Sequence, residues 1–263
     1  MNARGALHLH SAYSYDAKLT LPELKAFFIK EGLSFALMTE HTDEMKKIPA
    51  EHFIAECRSL SDDTFVFVPG FEVPYKNTHI LMIGADTFFE GEEVEVLEKF
   101  RACSTRAVLA HPHKHGFLVD STLVNIIDGI EVWNSQYDGK YVPRAQSVKF
   151  FKQLHVPPSF HAFGGWDLHR VEHAGGPTLD CEVEALTETA ILSALLHGNF
   201  TIHGRGSTLS SDGKTIAGGG FVALFLGRVS TILVFLGKRV NAILAYFGVC
   251  PPRFLRRLIR RAL

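Results

Sequence analysis

Short apolar runs recur between residues 5 and 205, and each breaks off into side chains that can hold a metal ion. Leu7 leads into His8-Leu9-His10, and Phe35-Ala36-Leu37-Met38 leads through Thr39-Glu40 into His41. The run from Phe65 to Phe71 ends on Glu72, and Thr78-His79 opens Ile80-Leu81-Met82-Ile83. Ala107 to Ala110 ends on His111-Pro112-His113, Gly129-Ile130 ends on Glu131-Val132-Trp133-Asn134, and Phe160 to Phe163 leads into Gly165-Trp166-Asp167-Leu168-His169. Apolar runs of this length, bounded by polar residues, read as buried strands.

Helical patterns lie between them. Thr20 or its neighbour caps a helix with Pro22 in its first turn and Gly32 at its end. Glu92 to Cys103, Gln146 to Leu154 and Thr187 to His197 have the next helical spacings; the last stops at Gly198-Asn199, and Phe200 to His203 follows as a strand. Strands alternating with helices predict an α/β protein with parallel pairing.

The ends of the runs carry the chemistry. On an extended backbone residues i and i+2 share a face, so His8 and His10 can grip one ion, and so can Asp167 and His169. Asp16 follows His10 by six residues in a polar turn. Imidazoles mixed with carboxylates suit Zn, Mn or Fe better than Ca or Mg. A single His-x-His is weak evidence, but its recurrence at successive strand ends implies a metal centre assembled from several strand mouths.

At this point the chain resembles the PHP (polymerase and histidinol phosphatase) superfamily. The resemblance rests on His8-Leu9-His10-Ser11, Asp16 after Ser14-Tyr15, Thr39-Glu40-His41 and Gly70-Phe71-Glu72. It continues through Asn77-Thr78-His79-Ile80-Leu81, Ala110-His111-Pro112 and Gly165-x-Asp167-x-His169, in the family's order. It implies a distorted (β/α)7 TIM-like barrel over residues 1–205, with two or three divalent metal ions (Mn, Zn or Fe) at its C-terminal mouth. The ligands it implies are His8, His10, Asp16, His41, Glu72, His79, His111, Asp167 and His169. Glu72 is expected to bridge two ions, and Glu72, Asp16 and His41 carry the catalytic assignment. Glu131 matches a position that supports the ligands from behind.

The implied reaction is phosphoester hydrolysis by a metal-bridged hydroxide, with ions ~3.5–4 Å apart. A phosphomonoester is the favoured substrate. A 5′–3′ exonuclease or nucleotide phosphodiesterase is the alternative enzyme, and a membrane-recruited metal-binding module without turnover is the alternative of another class. Phosphate needs cationic donors beyond the metals, which points to Arg170, His113, Lys140 and Arg144 as substrate contacts. The sequence departs from the family pattern at Ala6, Ala17, Glu40 and Trp166, and Trp166 is expected to narrow the pocket.

Charge divides the chain. Its 263 residues carry a net charge of −1, but residues 213–263 hold nine Lys or Arg and no Asp or Glu. Residues 1–212 therefore have 18 basic side chains against 28 acidic ones, which argues against a stable nucleic-acid complex and for a small phosphorylated substrate or short nucleotide. Residues 206–220 are Gly- and Ser-rich and read as a linker, and 221–263 as a basic, apolar helical tail. In that tail Arg228 interrupts the apolar stretch from Phe221 to Gly237. The closing segment spaces Phe254, Leu255, Leu258, Ile259 and Ala262 helically among five arginines. That pattern predicts a helix lying on an anionic membrane surface rather than crossing it. Four dispersed cysteines without a Cys-x-x-Cys fit reduced thiols. No secretory signal pattern opens the chain. Together these predict a cytoplasmic protein, peripheral on the inner membrane face.

Overall fold

The computed structural model describes residues 1–42, 49–88, 106–119, 121–154 and 156–218, with the single positions Phe225, Val229 and Arg239. The chain is a mixed α/β protein. Its strands are β1 (Asn2–Leu9), β2 (Phe35–Met38), β3 (Glu40–His41), β4 (Val66–Val68), β5 (Gly70–Tyr75), β6 (Thr78–Ile83) and β7 (Arg106–Leu109). They continue with β8 (Gly129–Asn134), β9 (His161–Gly165), β10 (Thr178–Glu182), β11 (Phe200–His203), β12 (Ser207–Ser210) and β13 (Thr215–Gly218). The helices are α1 (Leu21–Lys30), α2 (Ala50–Leu60), α3 (Ser121–Val124), α4 (Ser135–Asp138), α5 (Ala145–Gln153) and α6 (Glu188–His197).

One sheet runs β13-β12-β11-β10-β1-β2-β4 and the other β3-β5-β6-β7-β8-β9. The pairs β1/β2, β2/β4, β3/β5, β7/β8 and β8/β9 are parallel, whereas β6 is antiparallel to both neighbours. Thr39 carries the chain from β2 into β3, and Pro69 carries it from β4 into β5, so the two sheets share these strands' course. Beyond β9, Trp166 N–H donates to Leu7 O at 2.8 Å and His10 N–H to Leu168 O at 3.0 Å, which ties that end of the chain to β1. β2, β8 and β9 are buried at every position, as strands covered on both faces must be.

The helix signals hold locally. Thr20 and Glu23 form a reciprocal capping box at α1, Pro22 sits in its first turn, and Gly32 beyond the end takes φ +76°. Leu21, Leu24 and Phe28 turn the buried face of α1 inward. At α6, Thr187 caps through Ala190 N–H, and Gly198 closes the helix in the left-handed region. The helix expected over Gln146 to Leu154 is α5, one residue earlier at each end. The expected helix from Glu92 to Cys103 and the tail 221–263, apart from its three single positions, lie outside the described residues.

Residues 206–218 differ from their reading as part of a linker, and 219–220 lie outside the described residues. Ser207–Ser210 and Thr215–Gly218 are paired strands added to β11. Leu209 is fully buried, and Gly213 supplies the φ of +74° that the turn after Ser210 needs. A Ser/Thr-rich strand with one inward apolar side chain has the composition of coil. Among the described residues no helix is long and apolar enough to cross a membrane.

Candidate metal centre

All nine expected ligands gather at one end of the strands. His10 lies just past β1, His41 ends β3, His111 follows β7, and Asp167 and His169 follow β9. Glu72 is inside β5, where it pairs with His41 of β3. β6 runs back against β5, which sets His79, near its start, opposite Pro74.

The backbone reaches this arrangement through strain. His8, His111 and Asp167 have φ of +65°, +29° and +52°, a region that L-residues avoid. Each such residue costs of order 1–3 kcal/mol and persists only where the surroundings hold it. Three of them meet in one site. At His8 the register of β1 against β2 shifts, so this strand is bulged rather than straight.

Four groups of three side chains bring ligand atoms within reach of a common ion: His8, His10 and Glu72; Glu72, His79 and His111; His8, His111 and Asp167; and His10, His41 and His169. His8 and His10 share a group, as their spacing predicts. Asp167 Oδ1 lies 3.4 Å from His169 Nδ1, but the two residues fall in different groups of three.

Glu72 is the hub, with its two oxygens divided between groups. Oε1 lies 2.5 Å from His79 Nδ1 and 3.1 Å from His111 Nε2. Oε2 lies 3.0 Å from His8 Nε2, 3.3 Å from His10 Nε2 and 3.4 Å from His41 Nδ1. Asp16 enters from its loop, with Oδ2 3.0 Å from His169 Nε2 and 3.8 Å from His41 Nε2. The rings of His41 and His169 stack on His10 at 4.4 and 4.2 Å.

Such a cluster without cations is electrostatically uncomfortable. Burial opposes charge on His8, but Glu131, Glu72 and Asp167 outweigh it and raise its pKa well above the usual value. Burial pushes His10 down to about 3, with His169 and His41 adding to the effect and Glu72 opposing it. Burial works against the Glu72 carboxylate too, yet His8, then the bonds from His10, His111 and His79, hold its pKa well below normal. His111 Nδ1 and Asp16 Oδ1 are buried and have no hydrogen-bond partner. Buried polar atoms are nearly always satisfied, so orphaned lone pairs among converging imidazoles fit divalent ions.

A second layer fixes the ligands. Glu131, fully buried, places Oε1 2.9 Å from His8 Nδ1, and its Oε2 accepts from His111 N–H at 2.7 Å and Asn134 Nδ2 at 3.0 Å. Glu40 accepts from Ser11 N–H at 2.9 Å and from the Ser14 hydroxyl at 2.5 Å, while Ser14 Oγ accepts from His41 N–H at 3.0 Å. This anchors the Asp16 loop to β3. Gly165 is required by packing: a Cβ there would meet Glu131 Oε1 at 1.8 Å.

Two of the four expected substrate contacts, Lys140 and Arg144, are engaged by other partners. The Lys140 amine donates to the carbonyls of Ala174 at 2.7 Å and Glu172 at 3.3 Å. Arg144 donates to Tyr137 O at 2.7 Å and to Asp138 Oδ1 at 3.3 Å. Arg170 is exposed at the start of a short 3-10 turn, and His113 packs its ring 5.6 Å from Phe117. Trp166 does not narrow the pocket. Its ring is buried against Phe28, with Nε1 donating to Pro177 O.

Two neighbours carried no sequence assignment. His115 Nε2 is buried without a partner; burial, then His111, His79 and Lys114, lower this imidazole to about 4. The Tyr137 ring lies 5.3 Å from that of His111. The four-residue spacing of His111 and His115 was the available signal for the first, and nothing in the sequence marked the second.

No family model matches the sequence, and no curated protein is similar to it. Solved structures are similar in fold. A two-domain protein from Bacteroides vulgatus ATCC 8482 containing a predicted PHP-like metal-dependent phosphoesterase superposes with a TM-score of 0.61 at 13% identity, over 80% of this chain and 67% of that one. The lesion-specific endonuclease PfuEndoQ from Pyrococcus furiosus gives 0.54 at 18% identity, over 77% of this chain and 58% of its own. The chain thus shares its fold with PHP-type proteins, and its His/Glu clusters fit a metal site.

Proposed function

We propose that this chain is a metal-dependent phosphoesterase of the PHP type that prefers phosphomonoesters. The observation that carries the proposal is Glu72, whose two oxygens face separate imidazole groups, as a carboxylate shared between two ions must. His8, His10, Glu72, His79, His111 and Asp167 would hold one part of the metal set, and His10, His41, His169 and Asp16 the other. Bound divalent ions supply Lewis acidity toward the phosphoryl oxygens and lower the pKa of water. The protein's part is to fix the ligands through Glu131 and Glu40 and to keep His8 Nε2 turned inward.

The strand pairings, with the bonds from Trp166 and His10 between the β9 end and β1, support a distorted (β/α)7 barrel as the scaffold. The endonuclease neighbour favours a second reading, a nuclease or nucleotide phosphodiesterase on the same site. The basic tail remains a proposed contact for anionic membrane, giving a cytoplasmic protein held on the inner face.

Elemental analysis of protein purified without chelator, with assays on p-nitrophenyl phosphate and bis(p-nitrophenyl) phosphate in Mn, Zn and Fe, tests the proposal. Two or three ions with monoester turnover support it. Diester turnover alone favours the nuclease reading, and full metal content with no turnover favours a binding module.

A further inference from the structure

Three side chains outside the ligand set crowd the His111 side of the centre. The Tyr137 ring stands edge-on to His111 at 5.3 Å. The His115 ring lies 5.4 Å from His111 and 5.9 Å from His79, with Nε2 buried and unpartnered. The Lys114 amine sits 6.0 Å over the Tyr137 ring. They arrive on two elements: Lys114 and His115 on the 3-10 turn Pro112–His115 after β7, and Tyr137 on α4 after β8.

Tyr137 is braced from behind. Its carbonyl accepts from Arg144 at 2.7 Å, and Asn134 caps α4 through Gln136 N–H at 3.0 Å. The same Asn134 donates to Glu131 at 3.0 Å, so the support of Tyr137 and the support of His8 are one network. Donors fixed this way beside a metal centre can take charge that the ions leave uncovered.

We propose that Tyr137 and His115 form a donor wall for the non-bridging oxygens of the substrate's phosphoryl group, with Lys114 adding positive charge at its rim. The inference rests on the phosphoesterase reading and locates the monoester preference within it. A monoester has three unsubstituted oxygens and a diester two, so a wall of donors beside the ions rewards the monoester more.

The test compares Mn-loaded wild type with Tyr137→Phe, which removes only the hydroxyl, and with His115→Gln, on a separate element, in case the first is unstable. Inorganic phosphate affinity is measured by calorimetry, kcat/KM on the two p-nitrophenyl esters, bound metal by elemental analysis and melting by circular dichroism. Each variant should lose about 10–100-fold in phosphate affinity and in monoester kcat/KM, the range of a hydrogen bond to a charged group, with metal content and Tm unchanged. Diester kcat/KM should fall less than about threefold. Unaltered phosphate affinity and an unaltered monoester-to-diester ratio would overturn the wall, as would loss of bound metal, which would make the ring a prop for His111. A wild type that neither binds phosphate nor turns over an ester sinks the phosphoesterase reading itself. Turnover by wild type with an indistinguishable Tyr137→Phe sinks the wall alone.

Discussion

Glu131→Gln separates the role of the supporting layer from that of the ligands. Glu131 Oε2 accepts two donors, His111 N–H at 2.7 Å and Asn134 Nδ2 at 3.0 Å, while Oε1 faces His8 Nδ1 at 2.9 Å. A carboxylate only accepts, so His8 keeps a proton on Nδ1 toward Glu131, and a bound ion would take the place of the proton on Nε2, which lies 3.0 Å from Glu72. A glutamine has one accepting oxygen. With that oxygen kept on the two backbone-side donors, its NH2 faces His8 Nδ1, which must then accept, and the ring proton moves to Nε2. That nitrogen can no longer ligate. With the amide flipped, the NH2 faces two donors instead, a buried mismatch of about 1–3 kcal/mol.

The first arrangement leaves every buried donor paired and is the one expected: the fold keeps its shape and the metal loses a ligand. Changes of this kind cost about 10–100-fold in metal affinity, or about 1.4–2.7 kcal/mol. The assay is a chelator-competition titration of the stripped protein with Zn or Mn, with circular dichroism to confirm the fold. Affinity and stoichiometry within about twofold of wild type would refute the argument, since a supporting residue of this kind cannot be silent.

Three further outcomes are expected. Replacing His8 and His10 together by alanine should abolish metal-dependent hydrolysis in a folded, monodisperse protein, and retained turnover would sink the site assignment. Burial raises the Asp138 carboxyl to about 6 despite Asn134 N–H, Arg144 and Ser147, so the folded protein holds that proton more tightly than the unfolded chain does. Stability from this group is therefore present below about pH 4 and lost as pH rises to about 6, by at most about 3 kcal/mol. Guanidinium unfolding of wild type and Asp138→Asn at pH 4.5 and 7 should show that difference, and parallel pH curves would contradict it. Deleting 221–263 should release the protein from anionic vesicles in a flotation assay, and undiminished flotation would remove the tail from the membrane reading.

The ligands were legible because metal sites need a few residue types at fixed local spacings, and His8/His10 and Asp167/His169 announce themselves that way. Their grouping was not. The i, i+2 argument assumes a straight strand, whereas the chain bends left-handed at His8 and Asp167; both pairs stay close, but Asp167 and His169 join different groups of three. Cations misled for a similar reason. Lys140 and Arg144 have the charge a phosphate wants, but their amines and guanidinium are used on carbonyls and on Asp138, which only tertiary structure reveals. The β12–β13 hairpin was hidden by Ser and Thr, although Asp212-Gly213 is a turn signal. Trp166 was expected to narrow the pocket because a small residue often stands at that position in the family, yet its ring packs on Phe28 and its Nε1 donates to Pro177 O.

The place of β1 in its sheet has a consequence for synthesis. One edge of β1 pairs with β2, complete by residue 38, but the other pairs with β10 and is also bonded by residues 166–168. At roughly 5–20 residues per second, a nascent chain needs on the order of 10–30 s to deliver those partners. By residue 111 the chain holds every member of two of the four ligand groups, those of His8, His10 and Glu72 and of Glu72, His79 and His111, while the groups needing Asp167 or His169 are still incomplete. The ligand set is thus completed in two stages, with the Glu72-centred half synthesised first and the remainder only after the chain has returned to its own first strand.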